Sequence, residues 1–144
     1  YLSGGVYIGG TGLASYLDSY EEGNWTPSFA NGSGIVYTHQ TGRYTKVGRF
    51  VCIYFDINWS SGSNIEGGIL GCPFTVLNGR MWSVGSLFHN GSLTYQTGRN
   101  ECCTYINNNT DLITISSLGS GILPTGPNYD SVGGIHGTIS FMTA

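Results

Sequence analysis

The chain has 144 residues, enough for one domain with a hydrophobic core and too few for two. Only 9% of them are charged, against about 25% in an average domain, and 24 are glycine without the collagen period, which is typical of short strands joined by tight turns. The net charge of −3 excludes a basic nucleic-acid-binding surface, and no apolar run approaches the ~20 residues of a membrane-spanning helix. We therefore expect neither nucleic acid nor membrane insertion.

The first 23 residues predict an extended lead-in to the domain. Residues 1–14 are punctuated by glycine and follow neither the strand period nor the helix period. Residues 15–22 are acidic and predict one helical turn or a loop, after which Pro27 forces an extended backbone on the residue before it. We expect residues 1–23 to continue from an upstream part of a longer protein and residues 24–144 to form the domain.

The rest of the chain predicts β-structure. Apolar and polar residues alternate over residues 51–59, which indicates a strand with one buried face ending in a core Trp59. Residues 62–68 predict a loop, and Asn31-Gly32 predicts a turn before the basic segment 37–53, which reads as two strands joined by a tight turn.

Two hairpins and a last strand are predicted further along. Residues 83–89 and 92–97 flank Asn90-Gly91, a strong hairpin signal. A longer hairpin joins residues 101–106 and 111–117 through 107–110, and residues 135–141 alternate as the last strand. About eight to ten short antiparallel strands and no convincing helix predict an all-β fold, a β-sandwich of jelly-roll kind.

The four cysteines match no zinc spacing. They are Cys52, Cys72, Cys102 and Cys103. We expect free thiols that act as small apolar groups, although a Cys52–Cys72 disulfide stays possible on sequence grounds. Free thiols would agree with assembly in a reducing cytoplasm.

Catalytic chemistry finds little support in the sequence. No Gly-x-Ser-x-Gly elbow is present, and no acidic or histidine residues recur at calcium or zinc spacing. Among the acids Asp56 stands out, because it lies inside a strand opposite the apolar face, and we expect it to pair with Arg43 or Arg49 as a solvated or interface carboxylate. No enzyme activity, metal or cofactor is expected.

Carbohydrate binding is the one chemistry that the composition favours. Sugars stack on aromatic rings and exchange hydrogen bonds with amides, and the predicted loops combine these residue types. The candidate contacts are Trp82, His89, Asn90, Tyr95, Tyr105, Asn107, Asn108, Asn109 and Tyr129. Each aromatic among them could instead belong to a core or an interface.

The low charge also favours assembly, because a surface poor in lysine and glutamate is more easily buried between copies of one chain. We expect Glu21 and Glu22 to meet basic groups from Arg43, Lys46 or Arg49 of the same or an adjacent chain. Together with Trp25, these glutamates and the two arginines are expected to anchor the domain to its stalk and to neighbouring copies.

Three segments resemble a known family. SYLDSYEEGNWTP (residues 15–27) is similar to the "LDDYEEGTWTP" opening of C-terminal domains in many bacteriophage fibre and receptor-binding proteins. GRYTKVGRFVCI (42–53) and GILGCPF (68–74) resemble the next two blocks of that family, in the same order. The chain departs from the pattern at Ser19, Asn24 and Cys72, and the likeness covers residues 3–75.

The resemblance implies a homotrimeric β-sandwich knob at the tip of a tail or head fibre, with the lead-in arriving from a stalk. Such a knob would be part of the virion, would be assembled in the host cytoplasm beside other fibre and tail proteins, and would adhere to a host surface polysaccharide or protein. No binding residue is carried over, because the matched blocks are scaffold. A virion decoration protein without a receptor and a polysaccharide depolymerase stay as alternatives.

Overall fold

The computed structural model describes residues 6–7, 9, 16–17, 19–79, 82–120 and 122–143. Strands make up 70% of these residues, and none of them is helical, so the all-β prediction is confirmed. Within the same ranges, no helix is long and apolar enough to cross a membrane.

Twelve strands are described. Their bounds are β1 Val6–Tyr7, β2 Tyr16–Leu17, β3 Tyr20–Trp25, β4 Ser28–Val47, β5 Phe50–Leu70, β6 Ser83–His89, β7 Leu93–Thr94, β8 Glu101–Ile106, β9 Ile113–Gly119, β10 Ile122–Thr125, β11 Asn128–Tyr129 and β12 Gly133–Met142.

Eight strands form one sheet that closes on itself. Its order is β10-β9-β8-β6-β12-β5-β4-β3, and the far end of β5 also pairs with β9 through Gly68↔Thr114 and Ile69↔Ile113. The strands β9, β8, β6, β12 and β5 thereby close a five-stranded barrel, from which β4 and β3 extend on one side and β10 on the other. The predicted β-sandwich would instead consist of two packed sheets, and its jelly-roll topology is not confirmed. Alternation shows which face of a strand is buried but not which strand lies beside it.

The strands β4 and β5 form one long hairpin around Gly48-Arg49, as the basic turn predicts. Gly48 has φ 58°, a conformation that glycine adopts without strain. The predicted turn at Asn31-Gly32 and the predicted loop at 62–68 are wrong, because both segments stay paired within the hairpin. Register shifts between Phe29 and His39 absorb these glycine-rich stretches as bulges, so glycine here bends the strand without ending it.

The core fills the barrel. As predicted, Val51, Ile53, Phe55, Ile57 and Trp59 are buried along one side of β5. Trp59 also donates its indole N–H to the Asp130 carbonyl at 3.0 Å, so its polar atom is satisfied inside the core.

The two predicted hairpins have different outcomes. The β8–β9 hairpin is confirmed. The hairpin around Asn90-Gly91 is wrong, since β6 pairs with β12 and β8 while β7 pairs with β11. The Asn90 Oδ1 atom accepts from the Gly134 N–H at 3.0 Å, and Ser92 donates to the Gly134 carbonyl at 2.8 Å. These bonds hold the turn against β12 and direct the chain away from β6.

The acidic segment is extended. The prediction of a helical turn or loop is wrong for residues 20–22, which lie in β3 and pair with β4. The last part of the expected lead-in therefore belongs to the sheet, whereas residues 1–5, 8, 10–15 and 18 lie outside the described residues.

All four cysteines are free thiols. Cys72 is buried as expected, and burial raises the pKa of its thiol to about 11. Cys52 is exposed on the outward side of β5, so it is not the core group that was expected.

Candidate functional site

One continuous surface is formed by the outward side of five neighbouring strands, β3, β4, β5, β12 and β6, and we call it the outer sheet face. Its rows follow the register, for example Ser86–Thr138–Tyr54–Arg43–Asn24. Large apolar side chains exposed on this face are Tyr20, Val47, Phe50, Tyr54, Val84 and Phe88.

A carboxylate between two histidines lies within the outer sheet face. The Asp56 carboxylate is 3.0 Å from His136 Nδ1 and 3.6 Å from His39 Nε2, and it accepts a hydrogen bond from Asn58 at 2.8 Å. Within the chain, the expected pairing of Asp56 with Arg43 or Arg49 is therefore wrong, whereas a pairing with either arginine of an adjacent chain stays a prediction. Cross-strand register places His136 directly opposite Asp56, and this neighbour cannot be identified from β5 alone.

The basic residues near this cluster have other roles. Arg43 is exposed and lines a shallow hollow with His39, Tyr54 and Asp56. Arg49 instead donates from Nε to the Thr143 carbonyl at 3.0 Å, which fastens the β4–β5 turn to the end of the chain.

The acidic pair of β3 bonds to tyrosines. Tyr44 donates to Glu21 at 2.6 Å and Tyr20 donates to Glu22 at 2.9 Å, and each hydrogen bond raises the pKa of its tyrosine. Among the described residues neither glutamate forms an ion pair with a basic side chain of its own chain, and Lys46 donates to Ser19 at 3.1 Å. Pairing with an adjacent chain stays a prediction.

Trp25 is buried and lies across from Gly42 in the β3–β4 register. A Cβ atom at Gly42 would collide with the indole, so the small residue makes room for the large one. This contact gives Trp25 a structural role within the sheet. Its role in anchoring the domain to a stalk or to a neighbouring copy stays a prediction.

Five candidate sugar contacts meet at one end of the barrel. Trp82 is 70% exposed and stacks on Tyr105, with ring centroids 6.0 Å apart and planes 17° apart. We call this pair the aromatic platform. Because Ser83 pairs with Ile106, the residues that follow β8 lie at the same end. These are Asn107, Asn108 and Asn109, of which Asn108 donates to Asn78 at 3.4 Å and Asn109 is exposed.

The remaining four candidates lie elsewhere and have internal roles. His89 and Tyr95 share a hydrogen bond of 2.8 Å, and burial raises the pKa of Tyr95 to about 12. Asn90 holds Gly134, as described above. Tyr129 packs against Phe29 with ring centroids 5.1 Å apart, and burial raises the pKa of its hydroxyl.

A polar groove of about 750 Å³ was not predicted from the sequence. Its polar side chains include Asn64, Glu66, Gln96 and Asn128, over the buried Ile115. These residues come from β5, β9, β11 and a loop, and only the fold brings them together. Within the described part of the chain, no three His, Cys, Asp or Glu side chains are grouped to hold a metal ion.

Comparison with known proteins gives one likeness. No family model and no curated protein matches the chain. Among solved structures, the fold is similar to part of the crystal structure of Dettilon tailspike protein, with a TM-score of 0.55 and 20% identity. The match covers 83% of this chain and 23% of the tailspike chain, so this protein spans less than a quarter of that structure's length.

Proposed function

We propose that this chain is the tip domain of a bacteriophage tail fibre or tailspike, which assembles as a homotrimer and attaches the virion to a host surface glycan. The observation that carries the proposal is the fold shared with one section of a tailspike. The likeness of residues 15–27, 42–53 and 68–74 to the scaffold blocks of phage receptor-binding domains supports it independently. Those blocks include β3, the turn of the β4–β5 hairpin and the end of β5.

The aromatic platform is the proposed receptor contact. Trp82 presents most of its surface to solvent, and its stacking on Tyr105 fixes the ring in place before a ligand arrives. A flat ring next to amide groups is suited to the C–H face and the hydroxyls of a sugar. In a trimer three such platforms would act together, so weak single-site binding would be sufficient for adhesion.

The proposal assigns no hydrolytic activity to the domain. Glycoside hydrolysis commonly requires two carboxyl groups that face each other across ~5–9 Å. Asp56 faces two histidines instead of a second carboxylate.

Binding of the purified chain to immobilised capsular polysaccharides and lipopolysaccharides from a panel of bacteria tests the proposal. We expect binding to a subset of the panel, loss of that binding in Trp82→Ala and Tyr105→Ala, and no loss in the groove variant Gln96→Ala. Loss of polysaccharide binding in Gln96→Ala alone would indicate that the receptor site is the polar groove. Binding to none of the panel would favour a decoration protein.

Release of reducing ends from the bound polysaccharide is measured in parallel. No release is expected. Release that Asp56→Asn abolishes would contradict the non-enzymatic assignment and identify a depolymerase.

A further inference from the structure

We propose that the outer sheet face is the surface through which copies of this chain pack against one another. This inference rests on the proposed homotrimer and identifies its interface, which neither the resemblance nor the fold likeness locates. The occupant of the face is a second copy of the chain.

The face exposes large apolar side chains that contact with another copy would bury. Val84, Phe88 and Phe50 are 68%, 66% and 49% exposed, although each projects from a well-paired strand. Six of the ten exposed large hydrophobic side chains described lie on this one face. They form two groups, one on β6 and one around the β4–β5 turn, with Tyr54 and polar side chains between them. Burying these groups stabilises an assembly by about 25 cal/mol per Å² of apolar area.

The charged side chains on the face are better suited to contact with a second copy of the chain than with a strongly charged partner. Glu22 and Asp56 supply carboxylates, while Arg43 supplies a fixed positive charge in the neighbouring rows. A polyanionic partner would meet the carboxylates, and a polycationic partner would meet Arg43. In a trimer the contact is head-to-tail, so one part of the face meets a different part of the next copy, and the carboxylates of one copy can lie against Arg43 of the next.

The size of the face sets how much of an interface it can supply. Five strands about 4.8 Å apart and about five outward rows some 6.8 Å apart cover roughly 650 Å² in flat projection, and side-chain relief increases the accessible area. A stable interface buries about 800 Å² on each partner, and in a trimer each copy shares its face between two neighbours. The face therefore supplies part of the buried area, and residues beside it supply the rest.

The thiol of Cys52 can report whether the outer sheet face is accessible. Its thiol is exposed in the isolated chain and lies between Ser140 and Thr45 in a central row of the face. If copies cover this face, the thiol is protected from a maleimide reagent in the assembly although no side chain of its own chain buries it.

The test compares the wild type with Phe50→Lys/Phe88→Lys and, as a control, Leu70→Lys, which alters a 42% exposed hydrophobic residue at the opposite end of β5. Light scattering during size exclusion should give the wild type and the control about three times the chain mass of 15.4 kDa. The double variant should give one chain mass and should label rapidly at Cys52, with circular dichroism confirming its fold.

The outcomes separate this inference from the proposed function. A wild type with the mass of one chain would refute the trimer and, with it, this interface. A double variant that stays trimeric with Cys52 protected, or a trimeric wild type whose Cys52 labels freely, would refute the interface alone. If the double variant does not fold, the labelling of Cys52 in the wild-type assembly decides whether the outer sheet face is covered by another copy.

Discussion

Trp25 packs against Gly42, the residue directly opposite it in the β3–β4 register. The indole is buried although β3 lies at the edge of the sheet, because the missing side chain of Gly42 leaves space for it. This pair fastens the resembling opening segment to the hairpin that follows it, so the scaffold role of both segments has a specific physical basis.

Substitution of Gly42 by alanine should therefore destabilise the domain. The added Cβ would collide with the Trp25 ring, and overpacking of this kind costs about 1–3 kcal/mol. Gly42 does not have a positive φ, so backbone strain does not contribute. Urea denaturation measures the change, and Gly126→Ala is the matched control because a Cβ there would contact nothing. Equal stability of the two variants would contradict the packing described for Trp25.

The stability of the domain should fall between pH 9 and pH 11 because of Cys72. Burial raises the pKa of its thiol from 9.0 to about 11 in the folded protein, so the unfolded chain loses this proton first as the pH rises. The contribution is fully present below pH 9 and is lost by pH 11, with a magnitude of about 2–3 kcal/mol.

Denaturation of the wild type and Cys72→Ala across this range isolates the effect. The difference in unfolding free energy between them should shrink as the pH rises, since alanine does not ionise. Val76→Ala is the control, because Val76 is buried and neither valine nor alanine ionises, so its difference from the wild type should stay constant. A constant difference for Cys72→Ala as well would contradict the burial assigned to that thiol.

The sequence predicted individual strands better than their partners. Alternation identifies the buried side of β5 because burial of one strand face is a local property. The polar tip 107–110 likewise predicts the β8–β9 hairpin correctly, since the two strands are neighbours in both sequence and space. Asn90-Gly91 has an equally strong turn signal, but Gly134 competes for its side chain from a distant strand. Such competition is visible only in the folded chain.

The candidate site was likewise predictable from the sequence only in part. The chemistry of Trp82 and Tyr105 marks them as possible sugar contacts, and the fold adds that they stack. The groove beside Glu66 and Asn128 could not be anticipated, because its residues are ordinary polar positions in separate segments. The histidine partners of Asp56 required the cross-strand register.

Asn90 should prove structural rather than part of the receptor site. Asn90→Ala removes the acceptor of the buried Gly134 N–H, which should cost about 1–3 kcal/mol of unfolding free energy. Ser92→Ala, which removes the other side-chain bond to Gly134, should be destabilising in the same sense. Polysaccharide binding by both variants should stay at the wild-type level below their unfolding temperatures. If Asn90→Ala lost polysaccharide binding while its unfolding free energy stayed unchanged, Asn90 would be a receptor contact.

The two sides of β5 should respond differently to the same substitution. Phe55 is fully buried in the barrel, so Phe55→Ala should cost about 3–5 kcal/mol at any protein concentration. Phe50 lies on the outer sheet face of the same strand, and Phe50→Ala should leave the fold of the single chain intact while lowering the mass of the assembly on dilution. Circular dichroism and light scattering across a dilution series distinguish the two effects. A Phe50→Ala variant that keeps the wild-type mass at every concentration would show that this edge of the face lies outside the interface.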